Sequence, residues 1–285
     1  MTTLKIAIQK NGRLSDDSRE LLAECGIKFS NSAALLKSKA VNFPIEALFL
    51  RDDDIPQYVE QNVADIGIIG ENIAYEKKKN VETVEYLGFA GCRLSLAIPR
   101  EEVYTGLQYF MNKKIATSYP VVLKDFLQKH NIIAEVEEIS GSVEIAPGIG
   151  LANAVCDIVS SGSSLIANGL AEVETILKSQ AIIISSKNLG SEKETILKNL
   201  LFRIRAVKNA RENKYILLNA PESSIDEICS ILPGMKSPTI LSLTKKGWCS
   251  IHAVVSEDVF WEKIDLLKKA GAEGILVIPI EKMIL

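Results

Sequence analysis

Short apolar runs alternate along the chain with amphipathic stretches. Residues 4–8 (LKIAI) read as a strand, and 15–25 as a helix with Ser15 as N-cap, acids in its first turn and Gly26 as its stop. Residues 45–50 form the next strand, and Asp52, Asp53 and Asp54 then open a helix with acid at its positive end. DIGIIG (65–70) is a buried strand, followed by a helix from Glu71. Strands are predicted again at 113–118, 133–140, 157–161 and 180–186, with helices at 121–130, 150–156 and from Ser163. A long helix over 191–213 repeats Leu197, Leu200, Leu201, Ile204 and Val207 at helical spacing. Residues 88–99 (GFAGCRLSLAIP) are strand-like and suit a crossover. This alternation implies parallel sheet covered on both faces. DIGIIGEN (65–72) and DIVSSGSS (157–164) share a pattern of acid, apolar strand, Gly turn and helix start. Two such halves would place a cleft beyond the carboxyl ends of their strands. A chance likeness of two strand–turn–helix units fits the pair equally well.

From 214 the order changes to strand (214–221), helix (223–232), two strands (239–243 and 248–256), helix (258–271) and strand (275–280). That is a βαββαβ, ferredoxin-like module, with its boundary near 212–215.

Composition narrows the function classes. At 47% hydrophobic and 24% charged the chain is globular, and 285 residues suggest about two domains. A net charge of −3 argues against a general nucleic-acid binder, though a local basic pocket remains open. No apolar run approaches a membrane span. The first residues read directly into a strand, without a leader pattern. The five cysteines (25, 92, 156, 229, 249) are scattered and odd in number, which suggests reduced thiols in a cytoplasm. His130 and His252 stand alone and read as structural, which disfavours Ser-His-Asp and Cys-His chemistry. P-loop, zincin and dinucleotide fingerprints are missing from the chain.

The most informative stretch is 145–171, whose one charge is Asp157, followed by Ser160, Ser161, Gly162, Ser163 and Ser164. An acid, a bend of hydroxyls and glycine, and a helix start suit a ribose phosphate: amides and hydroxyls take the phosphate, and the acid takes sugar hydroxyls. A plain turn with a capping serine fits the same residues. Lys10, Gly12 and Arg13 follow the first strand and Arg51 follows the strand at 45–50, so these cations suit a pyrophosphate or triphosphate, or else a solvated rim. Asp52, Asp53 and Asp54 either assist Mg²⁺ on a polyphosphate or simply start a helix. Glu71 is a cleft acid or a partner of the helix dipole, and Glu76 with Lys77, Lys78 and Lys79 reads as a solvated helix end.

QKNGRLSDDSRELLAECGI, RDDDIP, DIGIIGEN, GCRLSLA, KKIATSYP, GSVEIAPGIGLANAVCDIVSSGSSL and PGMKSPTI together resemble the long form of ATP phosphoribosyltransferase, over essentially the whole chain. Glu144, Gly150, Asp157, Ser161, Gly162 and Leu165 match the family signature, and Ser164 departs from its usual Thr. The resemblance implies an α/β fold of two periplasmic-binding-protein-like (type II) domains around a cleft, plus the C-terminal ferredoxin-like (ACT-like) domain. The implied bounds are 1–95 with 183–213, then 96–182, then 214–285 as a histidine-binding regulatory domain. The implied reaction joins ATP, through N1 of adenine, to 5-phosphoribosyl pyrophosphate (PRPP). Its products are phosphoribosyl-ATP and pyrophosphate, with Mg²⁺, in the first step of histidine biosynthesis under histidine feedback. Lys10, Arg13, Arg51 and Glu71 are then the catalytic candidates. Glu144, Asp157, Ser160, Ser161, Gly162, Ser163, Ser164 and Leu165 would hold PRPP, and Thr117, Ser118 and Tyr119 are candidates for adenine. Ser237 and Thr239 would be regulatory. Metal ligands stay unassigned, because substrate phosphates would carry the Mg²⁺. A cytoplasmic homo-oligomer, dimer or hexamer, is expected, with neither nucleic acid nor membrane as partner. The competing reading is a non-catalytic two-lobed metabolite sensor with an amino-acid-binding tail.

Overall fold

The structure, a computed structural model, describes residues 2–29, 36–232, 234 and 237–285. The chain forms two compact units, one built on Ile27–Leu197 with the preceding residues up to Ala23, the other on Lys198–Leu285 with Glu24–Gly26.

The first unit holds two sheets. Its opening run is β1 (Leu4–Gln9), α1 (Arg13–Glu24), β2 (Lys37–Lys39), β3 (Ile45–Leu50), α2 (Ile55–Glu60), β4 (Ile66–Gly70), α3 (Glu71–Lys77) and β5 (Val81–Tyr86). The chain then builds β6 (Cys92–Pro99), β7 (Lys114–Thr117), α4 (Pro120–Lys129), β8 (Glu135–Glu138), β9 (Ala154–Val159), α5 (Ser163–Ala167) and β10 (Leu170–Ser179). It returns as β11 (Ala181–Ser186) and enters α6 (Ser191–Glu212). One sheet is ordered β2-β3-β1-β4-β11-β5 and the other β10-β6-β9-β7-β8. The chain therefore crosses twice, at 87–91 and at Gln180, and each sheet anchors one lobe.

The core of each sheet is parallel as expected: β1 pairs with β3 and β4, and β7 with β8 and β9. The sheets as wholes are mixed, which corrects the all-parallel reading. Strands at the crossings run antiparallel, β11 against β4 and β5, and β6 against β9 and β10. The helix predicted at 150–156 is also corrected. Gly150 takes φ +75 and breaks it, and the apolar run from Ala154 is the buried strand β9. Small apolar residues buried on both faces show no alternation that would mark a strand. In β10, two register shifts against β6 and a half-buried face blur the pattern, and the sequence reading passed over it.

DIGIIGEN and DIVSSGSS are not equivalent in space. Asp65 precedes β4 and is structural: it accepts the Lys5 amide at 2.8 Å and pairs with Lys193 at 2.7 Å. Asp157 lies inside β9 near its carboxyl end.

The second unit continues from α6 with β12 (Asn213–Pro221), α7 (Ile225–Ile231), β13 (Thr239–Ser242), β14 (Trp248–Ser256), α8 (Glu257–Lys269) and β15 (Glu273–Pro279). The order β13-β14-β12-β15, antiparallel throughout, is the expected βαββαβ sheet. Ile216, Leu218, Ile251, Phe260 and Leu267 form its core.

Candidate functional site

β9 carries Asp157 to the carboxyl edge of its sheet, where the chain leaves through Ser160. Gly162 takes φ +80, a left-handed position that favours glycine, and α5 starts at Ser163. Leu165 is buried among Val155, Val159 and Leu170, so the bend is anchored from below. Ser160, Ser161, Ser163 and Ser164 are exposed. The Ser161 and Ser163 hydroxyls lie 3.0 Å apart, and the Ser163 amide reaches the Ser161 oxygen at 3.4 Å. The first amides of a helix lack intrahelical acceptors, so hydroxyls and N–H groups together make the bend rich in donors. With Glu144 and Asp157 it encloses a cavity of about 200 Å³.

Asp157 is partly desolvated. Burial pushes its carboxyl above the usual range, the Ile158 amide at 2.8 Å opposes the shift, and Glu144 reinforces it. Asp52 is raised in the same way, by burial first and then by Asp53. Two carboxylates held in this state gain from any ligand that donates hydroxyls or brings positive charge.

A second cavity of about 330 Å³ adjoins the first, sharing Ile158 and Ser160, and its wall includes Arg13, Asp52, Asn72, Cys92 and Tyr119. It joins the two lobes: Arg13, Asp52 and Asn72 come with one sheet, Tyr119 and Ser160 with the other. The Tyr119 hydroxyl accepts from Asn72 Nδ2 at 3.2 Å. Burial, then Asp157 and Asp52, push the phenol far up, so it stays protonated.

Lys10 and Arg51 line neither cavity, but the Lys10 amide bonds Leu50 O at 2.8 Å. Both therefore follow the paired ends of parallel β1 and β3, exposed on the same rim from which Arg13 enters the cavity. Glu71 lines neither cavity and lies beside Tyr75, whose hydroxyl it pushes up. Thr117 is buried and accepts the Tyr119 amide at 2.9 Å, and Ser118 donates to Ile139 O at 2.6 Å, so these two shape the loop beneath Tyr119. Ser237 and Thr239 lie in the second unit. There Thr239 faces His252 across β13 and β14, and His252 bonds the Tyr215 and Ser250 hydroxyls at 2.6 and 3.0 Å. Of the adjoining PGMK, Pro233, Met235 and Lys236 lie outside the described residues.

Sequence reasoning missed Asn72, Cys92 and Gln9 on the cavity wall. It also missed Arg93, which holds Glu172 through two nitrogens at 2.5 Å and reaches the Ser160 carbonyl at 3.4 Å. A basic residue inside a strand was the available signal. Among the described residues no cluster of three His, Cys, Asp or Glu converges to hold a metal ion. A cation carried by a polyphosphate needs fewer protein ligands, and Asp52 suits that role. Among the same residues no helix is long and apolar enough to cross a membrane.

A family profile described as ATP phosphoribosyltransferase matches residues 51–206, and one for the C-terminal domain of that family matches 210–282. Proteins named ATP phosphoribosyltransferase from Cytophaga hutchinsonii and Bacteroides thetaiotaomicron are 57% and 56% identical, over 99% of this chain and 99% of their own. Among solved structures, a chain of the ATP phosphoribosyl transferase (HisG:HisZ) complex from Thermotoga maritima superposes with a TM-score of 0.61 at 25% identity, covering 71% of this chain and 99% of its own. A histidine kinase sensor domain similar to periplasmic binding proteins shares the fold alone, with a TM-score of 0.50 at 8% identity, over 73% of this chain and 91% of its own. On the two profile matches and full-length identities above half, the chain belongs to the ATP phosphoribosyltransferase family.

Proposed function

We propose that this enzyme carries out its transfer across the two adjoining cavities, with PRPP on the serine bend and ATP entering beside Tyr119. The observation that supports the reading is that the two cavities adjoin at Ile158 and Ser160, so that the donor-rich bend and Asp157 of one lie next to Arg13 of the other. Ser161, Ser163 and Ser164 take the 5-phosphate, and Asp157 accepts hydrogen bonds from the ribose hydroxyls. Lys10, Arg13 and Arg51 hold the pyrophosphate.

The site needs no general base, because adenine N1 attacks with a lone pair that is already free. As the bond to pyrophosphate breaks, positive charge develops on the ribosyl carbon and negative charge on the leaving group. The cations stabilise that separation, and the two lobes align nucleophile and carbon. Magnesium, bound mainly through substrate phosphates and with Asp52 on the cavity wall able to add a carboxylate, would neutralise charge on the pyrophosphate.

In the second unit, Ser237 and Thr239 are proposed to bind histidine as a feedback inhibitor, with Thr239 beside the His252 hydrogen-bond chain. Exposed Leu241, Leu276 and Ile278 on that sheet support self-association through it. Unpaired Cys25, Cys92, Cys156, Cys229 and Cys249 accord with a reducing compartment, the cytoplasm.

The test is to mix purified protein with ATP, PRPP and Mg²⁺. Formation of an adduct absorbing at longer wavelength than ATP, with one pyrophosphate released per adduct, supports the reading. Absence of any adduct contradicts it.

A further inference from the structure

Glu76 is not the solvated helix end that its lysine neighbours suggest. Lys77, Lys78 and Lys79 do face outward, to Asp53, Asp125 and Glu60. Glu76 points inward, with 8% of its surface exposed. Its carboxylate accepts the Val121 amide at 3.0 and 3.1 Å through its two oxygens, and the Val122 amide at 3.0 Å. α4 begins at Pro120, so these amides belong to its first turn and have no acceptor within the helix. Tyr119, the residue at the N-cap position, makes no side-chain cap of its own. Glu76 supplies the cap from a different element, and its negative charge sits at the positive end of the α4 dipole.

The contact joins the lobes, because α3 follows β4 of one sheet and α4 follows β7 of the other. Asn72 lies one turn earlier on the same face of α3, and it donates to the Tyr119 hydroxyl. Ser179, beside the return crossing, fixes Asn72 in turn: its hydroxyl donates to Asn72 Oδ1 at 2.8 Å and accepts the Asn72 amide at 3.0 Å. One helix face therefore holds residues 119–122 at two points, the Tyr119 hydroxyl through Asn72 and the first-turn amides of α4 through Glu76.

We propose that Glu76 is a positioning residue for the transfer reaction: by holding the start of α4 it fixes Tyr119 in the cavity, and with it the alignment of the two substrates across the lobes. The proposal rests on the reading of the adjoining cavities as the transfer site. Glu76→Gln keeps the size of the side chain but turns an N–H₂ group toward backbone donors.

The test is steady-state kinetics of the full-length protein with ATP, PRPP and Mg²⁺, comparing wild type, Glu76→Gln, Tyr119→Phe and the double variant. Glu76→Gln is expected to lower kcat about tenfold or more while both KM values stay within about threefold, because alignment is lost more than binding. In the Tyr119→Phe background the same change should cost less than about threefold, since both act through one group. Full kcat in folded Glu76→Gln, or costs that multiply in the double variant, would overturn the proposal. Should Glu76→Gln fail to fold, Glu76→Asp keeps the charge but withdraws it by one methylene; a kcat loss larger than any KM change supports the proposal, and wild-type kcat overturns it. A wild type that makes no adduct would instead sink the reading of the site, so the two failures are distinct.

Discussion

Asp157, the proposed ribose ligand, illustrates how a residue placed for binding can cost the free protein stability. Its carboxyl is raised by burial, so the ionised form is penalised in the folded chain at neutral pH. That penalty is present above the folded-state pKa and is relieved as pH falls through it. Asp157→Asn should therefore raise the Tm of the ligand-free protein, by about 2–4 °C if the penalty is near 1 kcal/mol, while turnover falls steeply. Differential scanning calorimetry beside the adduct assay checks both effects. A lower Tm would show that the carboxylate is already well compensated. In acid, PRPP affinity should decline at a pH above the ordinary Asp range, and the Asn variant should lack that limb. Arg13 and Arg51 make the complementary case. Each Arg→Ala change should cost about 3–4 kcal/mol in the transition state, roughly a hundredfold or more in kcat, at unchanged Tm. Loss at Arg13 alone would make Arg51 a solvated rim charge.

At the scale of elements, close packing decides which positions tolerate change. A Cβ on Gly67 would lie 2.4 Å from Ile55 Cγ2 and 3.2 Å from Val59 Cγ2, so β4 admits α2 only because that position has no side chain. Gly67→Ala should destabilise the first unit by about 1–3 kcal/mol, read as a shift in urea midpoint without a change in slope. Elements with a period were legible in the sequence, such as β3 and α6, and β4 was legible without one because its short apolar run is closed by Gly70 and a helix start. β9 was misread in part as a helix because its short apolar residues are buried on both faces and carry no period. β10 was missed because its bulges break the alternation. The serine bend was readable because a lone acid in a long uncharged segment stands out. Asn72 and Glu76 were not, since their partners lie 45 or more residues away and no local pattern marks them. The three lysines after Glu76 also mimic an exposed helix end.

For the molecule as a whole, each lobe of the first unit contributes an incomplete set of groups. One brings Arg13 and Asp52, the other brings Asp157 and the serine bend, and in the proposed reading neither alone would hold both the sugar phosphate and the leaving group. The central claim is that PRPP lies across them. The most direct measurement is a crystal structure of the protein soaked with PRPP and Mg²⁺. The account predicts the 5-phosphate within hydrogen-bond distance of Ser161, Ser163 and Ser164, a ribose hydroxyl on Asp157, and the pyrophosphate turned toward Arg13 and the Lys10–Arg51 rim. A phosphate bound elsewhere with the bend empty, or a pyrophosphate turned away from all three cations, would contradict it.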